Sequence, residues 1–134
     1  GEFTMVMARC AKSPAQGGAF YHLAYSCKGD VIPMEGYIPK DLKIPHIGWN
    51  ALTFTKESPL FRYINEGDCV YFVHSYAAVH CEDSLIASAE YGASLTAAVA
   101  KGNVMGCQFH PEKSGNVGLN ILKAFCEMEG GAVC

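Results

Sequence analysis

The chain has 134 residues, half of them hydrophobic and 17% charged, with a formal net charge of -3. That is a globular composition for one domain, burying roughly two thirds of the surface its unfolded chain exposes, and it excludes a disordered chain. With no basic run, no apolar stretch near the roughly 20 residues of a membrane span and no secretory-type start, nucleic acid is not expected as main partner, nor a membrane helix or a secretory signal.

Along the chain, Gly1-Glu2-Phe3 reads as an expression scar, which could extend to Thr4, and residues 1–30 show no clean period. Val31 to Pro45 holds three prolines and reads as extended or looped. Ser58-Pro59 before LFRYI predicts a short helix, capped by Ser58 with proline at its first position. CVYFVHS, Cys69 to Ser75, is a continuous apolar run and is expected as a strand buried on both faces. Ser84–Tyr91, Ser94–Ala100 and Val104–Phe109 follow as three more strands, and the short glycine-bearing gaps between them predict hairpins. A helix is expected over Asn116–Glu127, with Val117, Leu119, Ile121, Leu122 and Phe125 mostly on one face. Ser114, Gly115 or Asn116 would cap it, and Gly130-Gly131 would end it.

The seven cysteines form no CxxC pair, and several lie inside apolar runs. They are expected as buried free thiols in a reducing, cytoplasmic setting. His80-Cys81 has no second pair at zinc-ligand spacing, so no metal is expected.

The chemistry concentrates in QFHPEKSG, Gln108 to Gly115. Pro111 pushes His110 towards an extended conformation at the end of an apolar strand. Such a step could hold a base, His110, beside a carboxylate, Glu112, that orients it. A nucleophile would complete the set.

QFHPEKSGNVGLNIL resembles the closing motif of class I glutamine amidotransferases. Within them, KIPHIGWNAL (Lys43 to Leu52) and YFVHSY (Tyr71 to Tyr76) resemble the glutaminase subunits of imidazole glycerol phosphate synthases. The resemblance runs from about Lys28 to Glu127. It implies an α/β, flavodoxin-like amidotransferase fold with a mixed sheet and a C-terminal helix. It also implies glutamine hydrolysis through a cysteine thioester, without a cofactor, and passage of the ammonia to a (β/α)8-barrel cyclase subunit. By the same resemblance His110 is the base and Glu112 its orienting residue. His74, Ser75 and Tyr76 line the glutamine site, and Pro45, His46, Gly48, Trp49 and Asn50 face the cyclase. Trp49 read by itself could equally be core, and His74 a hydrogen-bonded histidine under the strand.

The family's nucleophile sits in a Gly-x-Cys-x-Gly elbow, and this chain has none. By spacing, that cysteine falls near Phe3, Thr4 and Met5, none of which does thiolate chemistry. Cys10, beside Arg9 and Lys12, and Cys27, in YSCKGD, remain as nucleophile candidates. The expected organisation is therefore an atypical lead-in over residues 1–27 and the C-terminal part of an amidotransferase domain over 28–134, truncated at its N-terminus. A sheet missing its first strands would have an open side, and an open edge invites a homo-oligomer. Three functions follow: a glutaminase domain inactive when alone, a non-catalytic self-associating binding module, and a cysteine hydrolase using Cys10 or Cys27 with His110.

Overall fold

The computed structural model describes residues 4–7 and 18–128. Among these, five strands form a mixed sheet in the order β1-β9-β8-β7-β4. They are β1 (Thr4–Met7), β4 (Thr53–Phe54), β7 (Leu85–Glu90), β8 (Ser94–Lys101) and β9 (Val104–Cys107). β1 runs parallel to β9, and the other pairs are antiparallel. Two antiparallel ribbons flank the sheet: β2 (Asp30–Pro33) with β6 (Tyr76–Val79), and β3 (His46–Ala51) with β5 (Cys69–His74).

The turns explain the hairpins. β8 and β9 are joined by Gly102-Asn103, and Gly102 has φ +59, the left-handed conformation that two-residue hairpin loops need. Strand alternation then divides the side chains between two cores. Met5, Met105 and Cys107 join one cluster, with Phe72, Phe109, Ile121 and Phe125. Val6, Val99 and Val104 join the other, with Phe20, Leu23 and Ala24. Helix α1 (Ala19–Ser26) thus covers one face, and α2 (Gly115–Glu127) packs into the opposite cluster. α1 comes close because Gly106 has no side chain; a Cβ there would lie 2.8 Å from Phe20 Cδ1.

Several expectations need correction. β5 is not buried on both faces: Val70, Phe72 and His74 point inward, while Cys69, Tyr71 and Val73 are exposed or half-buried. Thr4 starts β1, and Gly1 to Phe3 lie outside the described residues. β1 pairs along β9 from Thr4↔Val104 to Met7↔Cys107, so among the described strands the outer edge of the sheet on that side is β1. Leu119 is 61% exposed; α2 buries Gly118, Ile121, Ala124 and Phe125 instead. Cys81 and Cys107 are buried free thiols as expected; Cys27 and Cys69 are free, but the first is half-buried and the second exposed, and Cys126 is disulfide-bonded, so the expectation fails at these three. The Cys126 side chain lies on the exposed side of α2, where no core encloses the sulfur. Among the described residues no helix is long and apolar enough to cross a membrane.

The Ser58-Pro59 reading holds, as a single 3-10 turn over Pro59–Phe61 in which Ser58 Oγ accepts from Leu60 N–H at 3.2 Å. A second 3-10 turn, Pro111–Lys113, leads into α2. α2 reaches it through Gly118, where a Cβ would stand 1.8 Å from the Pro111 carbonyl oxygen. Backbone cannot yield as a side chain does, so Gly118→Ala is expected to cost about 3 kcal/mol or to abolish folding. Gly102→Ala meets nothing within 4 Å and strains only its positive φ, costing about 1 kcal/mol. Urea denaturation of the two variants gives that ranking; equal midpoints would show that α2 does not depend on this approach.

Candidate active site

His110 follows β9 in an extended conformation, φ -107 and ψ 98. Its N–H donates to the Tyr71 carbonyl at 3.1 Å, tying the strand end to β5. Pro111 then turns the chain, and Glu112 folds back so that its Oε1 lies 2.9 Å from His110 Nδ1. The carboxylate can only accept, so the neutral imidazole carries its hydrogen on Nδ1 and leaves a lone pair on Nε2. Nε2 is buried, with no hydrogen-bond partner among the described residues. A base with one nitrogen locked and the other sheltered and unoccupied is suited to proton transfer with a bound group. His110 and Glu112 are brought together as the sequence implies.

Ser114 reads in the sequence only as a possible cap. It is 1% exposed and makes no capping bond. Its hydroxyl donates to the His110 carbonyl at 2.6 Å and accepts from Tyr71 N–H at 2.9 Å. Both backbone groups of Tyr71 are thereby committed to the base-bearing loop. No local pattern could have shown this, because the contact spans 43 positions.

The segment His74-Ser75-Tyr76 lies alongside. His74 is 1% exposed, and its Nδ1 donates to the Tyr76 carbonyl at 2.8 Å. The same carbonyl accepts the Tyr21 hydroxyl at 3.1 Å, and that hydroxyl also lies 3.3 Å from Gln108 Oε1. Gln108 is thus a second residue that sequence reasoning missed: buried, two positions before the base, with its Nε2 unpartnered among the described residues. Burial holds the His74 imidazole down to about 4, the hydrogen bond to Tyr76 opposes this, and His46 and His110 add to the lowering.

On β3, Trp49 is 54% and Ile47 59% exposed, and Trp49 stands edge-on to Tyr71 at 5.7 Å. Trp49 is therefore not core. Pro45 is exposed, and Gly48 and Asn50 are half-buried. His46 is a correction: alternation turns it inward, it is 1% exposed, and it offers a partner no surface.

The nucleophile candidates separate. Cys10 lies outside the described residues. Cys27 ends α1 next to Ser26, whose carbonyl takes the Lys101 ammonium. Lys101 pairs with Val104, the start of β9, so Cys27 lies at the opposite end of that strand from His110. Cys107 points into the core, and burial pushes its thiol up to about 12. Thr4 and Met5 pair with Val104 and Met105. The end of β1 that lies level with the base-bearing end of β9 is Met7. An open cleft of about 830 Å³ at β4, lined by Phe54, Lys56, Ser58, Phe61 and Arg62, holds none of these groups.

The glutamine amidotransferase class I profile matches residues 17–128. The chain is 54% identical over 101 residues to the imidazole glycerol phosphate synthase subunit HisH of Lactococcus lactis subsp. lactis, covering 75% of this chain and 48% of that protein. It is 53% identical over 90 residues to HisH of Methanosarcina acetivorans, covering 66% of this chain and 45% of that one. The chain thus spans about half the length of these relatives. A glutamine amidotransferase structure from Thermotoga maritima superposes with a TM-score of 0.57 at 17% identity, over 92% of this chain and 44% of that one. A protein from Thermoplasma acidophilum, assigned as a GMP synthase component, gives 0.62 at 17%, over 90% and 53%. These two likenesses carry the fold; the profile match, which spans most of the chain, carries the kinship, and the chain belongs to the class I glutamine amidotransferase family.

Proposed function

We propose that this chain is a glutaminase domain of the imidazole glycerol phosphate synthase type that keeps the base and its orienting carboxylate, with no described cysteine at them, and is inactive alone. The observation that carries the reading is the His110 ring, locked at Nδ1 by Glu112 and unoccupied at its buried Nε2. In this reading His110 Nε2 takes the proton of a cysteine thiol, and the thiolate adds to the carboxamide carbon of glutamine. The C–N bond breaks, and His110 Nε2 gives its proton to the departing ammonia. Water then attacks the thioester, losing its proton to the same nitrogen, and glutamate leaves. Ser75 and Tyr76 line the substrate pocket. Ile47 and Trp49, backed by Tyr71, form the apolar face that a cyclase subunit covers.

None of the described cysteines meets His110. A base without its nucleophile forms no thioester, and losing one member of such a set costs several orders of magnitude in rate. The isolated chain is therefore expected to turn over glutamine at or near background. A second reading has Cys10 as nucleophile, favoured by the parallel pairing of β1 with β9. Measuring glutamate formation by the chain with and without a cyclase subunit decides between them. Background rates in both conditions support the first reading; turnover abolished in both His110→Ala and Cys10→Ser establishes the second; turnover that survives His110→Ala overturns the glutaminase reading.

Two further expectations concern the supports. Ser114→Ala leaves the Tyr71 amide without its acceptor and should lower the unfolding free energy by about 2 kcal/mol in urea titrations. Loss of less than about 0.5 kcal/mol would mean that water replaces the hydroxyl. Trp49→Ala should leave thermal stability unchanged, since the ring is exposed, and should weaken cyclase binding roughly 30-fold by calorimetry. Unchanged affinity would move the partner to another face.

A further inference from the structure

Behind the apolar face, hydrogen bonds run in series between two backbone carbonyls. Asn50 Nδ2 donates to the Glu90 carbonyl at 3.0 Å. Asn50 Oδ1 lies 2.7 Å from His46 Nε2. His46 Nδ1 lies 3.0 Å from His74 Nε2, and His74 Nδ1 lies 2.8 Å from the Tyr76 carbonyl.

Each end of this chain is fixed, because a carbonyl only accepts. Glu90 requires the Asn50 N–H₂ and so turns Oδ1, an acceptor, towards His46. Tyr76 requires a hydrogen on His74 Nδ1. Two neutral imidazoles then carry one hydrogen too few. If His46 donates to His74, its Nε2 lone pair faces Asn50 Oδ1 at 2.7 Å; if it donates to Asn50, two lone pairs meet between the rings at 3.0 Å. Turning the Asn50 amide over only moves the clash to Glu90. One extra proton satisfies every link.

The surroundings place that proton. The His46 ring is stacked between Tyr91, centroid at 3.9 Å, and Phe72, at 5.1 Å, and aromatic faces favour a cation. His74 is the poorer site, since burial holds its imidazole down to about 4 and any charge on His46 or His110 lowers it further. The titratable groups facing His46 are few. β5 brings His74; the turn after β7 brings Tyr91, whose hydroxyl is bound to the Lys43 carbonyl; Glu90 contributes its backbone carbonyl through Asn50, with its own side chain exposed. Burial holds the His46 imidazole below its ordinary range, and the bond to Asn50 offsets only part of this.

We infer that the His46–His74 pair holds one excess proton, carried by His46, and that this imidazolium is a positioning group tying the partner-facing strand β3 to the Ser75–Tyr76 segment. Losing the proton breaks one link of the series, so the segment is held correctly only on the acid side of the His46 midpoint. The need for the extra proton follows from the hydrogen bonds and its place on His46 from the rings stacked on it; its positioning role rests on the glutamine site proposed above.

Imidazole ¹⁵N spectra of the chain, from about pH 4.5 to about pH 9, test both parts. His46 is expected to show two protonated nitrogens at the acid end and to titrate once, with the Asn50 side-chain amide moving at the same midpoint. His74 should stay neutral, with its hydrogen on Nδ1. Asn50→Asp should raise the midpoint by about one unit, because a carboxylate supports the cation, and Asn50→Leu should lower it by about one unit. A His46 ring fixed as one neutral tautomer over the whole range, or an Asn50 amide indifferent to its titration, overturns the inference. Glutamine affinity, measured by calorimetry on the same samples, should fall about tenfold as pH rises through the wild-type midpoint, and the fall should shift with Asn50→Asp. Affinity that is flat across a real His46 midpoint overturns the positioning role. No glutamine binding at any pH overturns the glutamine site itself and the positioning role with it, while the imidazole spectra still decide where the proton sits.

Discussion

One hydroxyl holds the base to the fold. Strand β5 pairs with β3 along one edge, and at Tyr71 its other edge is bonded to the loop that carries His110. Ser114 Oγ accepts from one Tyr71 group while donating to the His110 carbonyl, and the His110 N–H returns to the other. A hydroxyl is the smallest side chain that donates and accepts at once. The same residue stands just before α2, so the helix start, the base and the β5 edge are set by one contact. Gly118, pressed on the Pro111 carbonyl, allows α2 to come near enough for this to happen.

The Tyr76 carbonyl is the second junction. It receives Tyr21 from α1 and His74 from β5, and Tyr21 in turn reaches Gln108 on the base-bearing segment. Helix, ribbon and sheet are therefore connected through buried polar groups as well as through apolar packing. Such a network favours one arrangement, since a slipped register would leave more of its buried groups unpaired. The orientation of Ser75 and Tyr76 is thus a property of the whole network, and a change at His46 on β3 is felt there.

The elements written as local patterns were legible from the residues: the Ser58-Pro59 turn, the hairpins β7-β8-β9, the C-terminal helix and the His110–Glu112 pair. Each depends on neighbours within a few positions. β1 and α1 were not, because four and eight residues are too short to display a period and their partners lie far along the chain. Leu119 looked like core because its spacing allows it, yet α2 turns Gly118 and Ile121 inward, where close approach to Pro111 decides the helix's rotation. His46 and Trp49 sat together in one motif, and only the strand's alternation separated a buried polar group from an exposed aromatic one. Ser114 and Gln108 act through residues dozens of positions away, which no reading of local sequence can supply.

The pairing of β1 with β9 joins positions a hundred apart, Thr4 with Val104. The hairpins from β7 to β9 need only short loops to close, so they can form long before that contact repays its loop entropy. β1 is then the last strand laid down, onto an edge that the rest of the sheet has already built. An edge waiting for a four-residue strand is also open to any other extended segment with the same alternation of side chains. The order of assembly therefore makes the completion of this sheet a competition between the chain's own β1 and extended segments of other molecules, and protein concentration during folding decides the outcome.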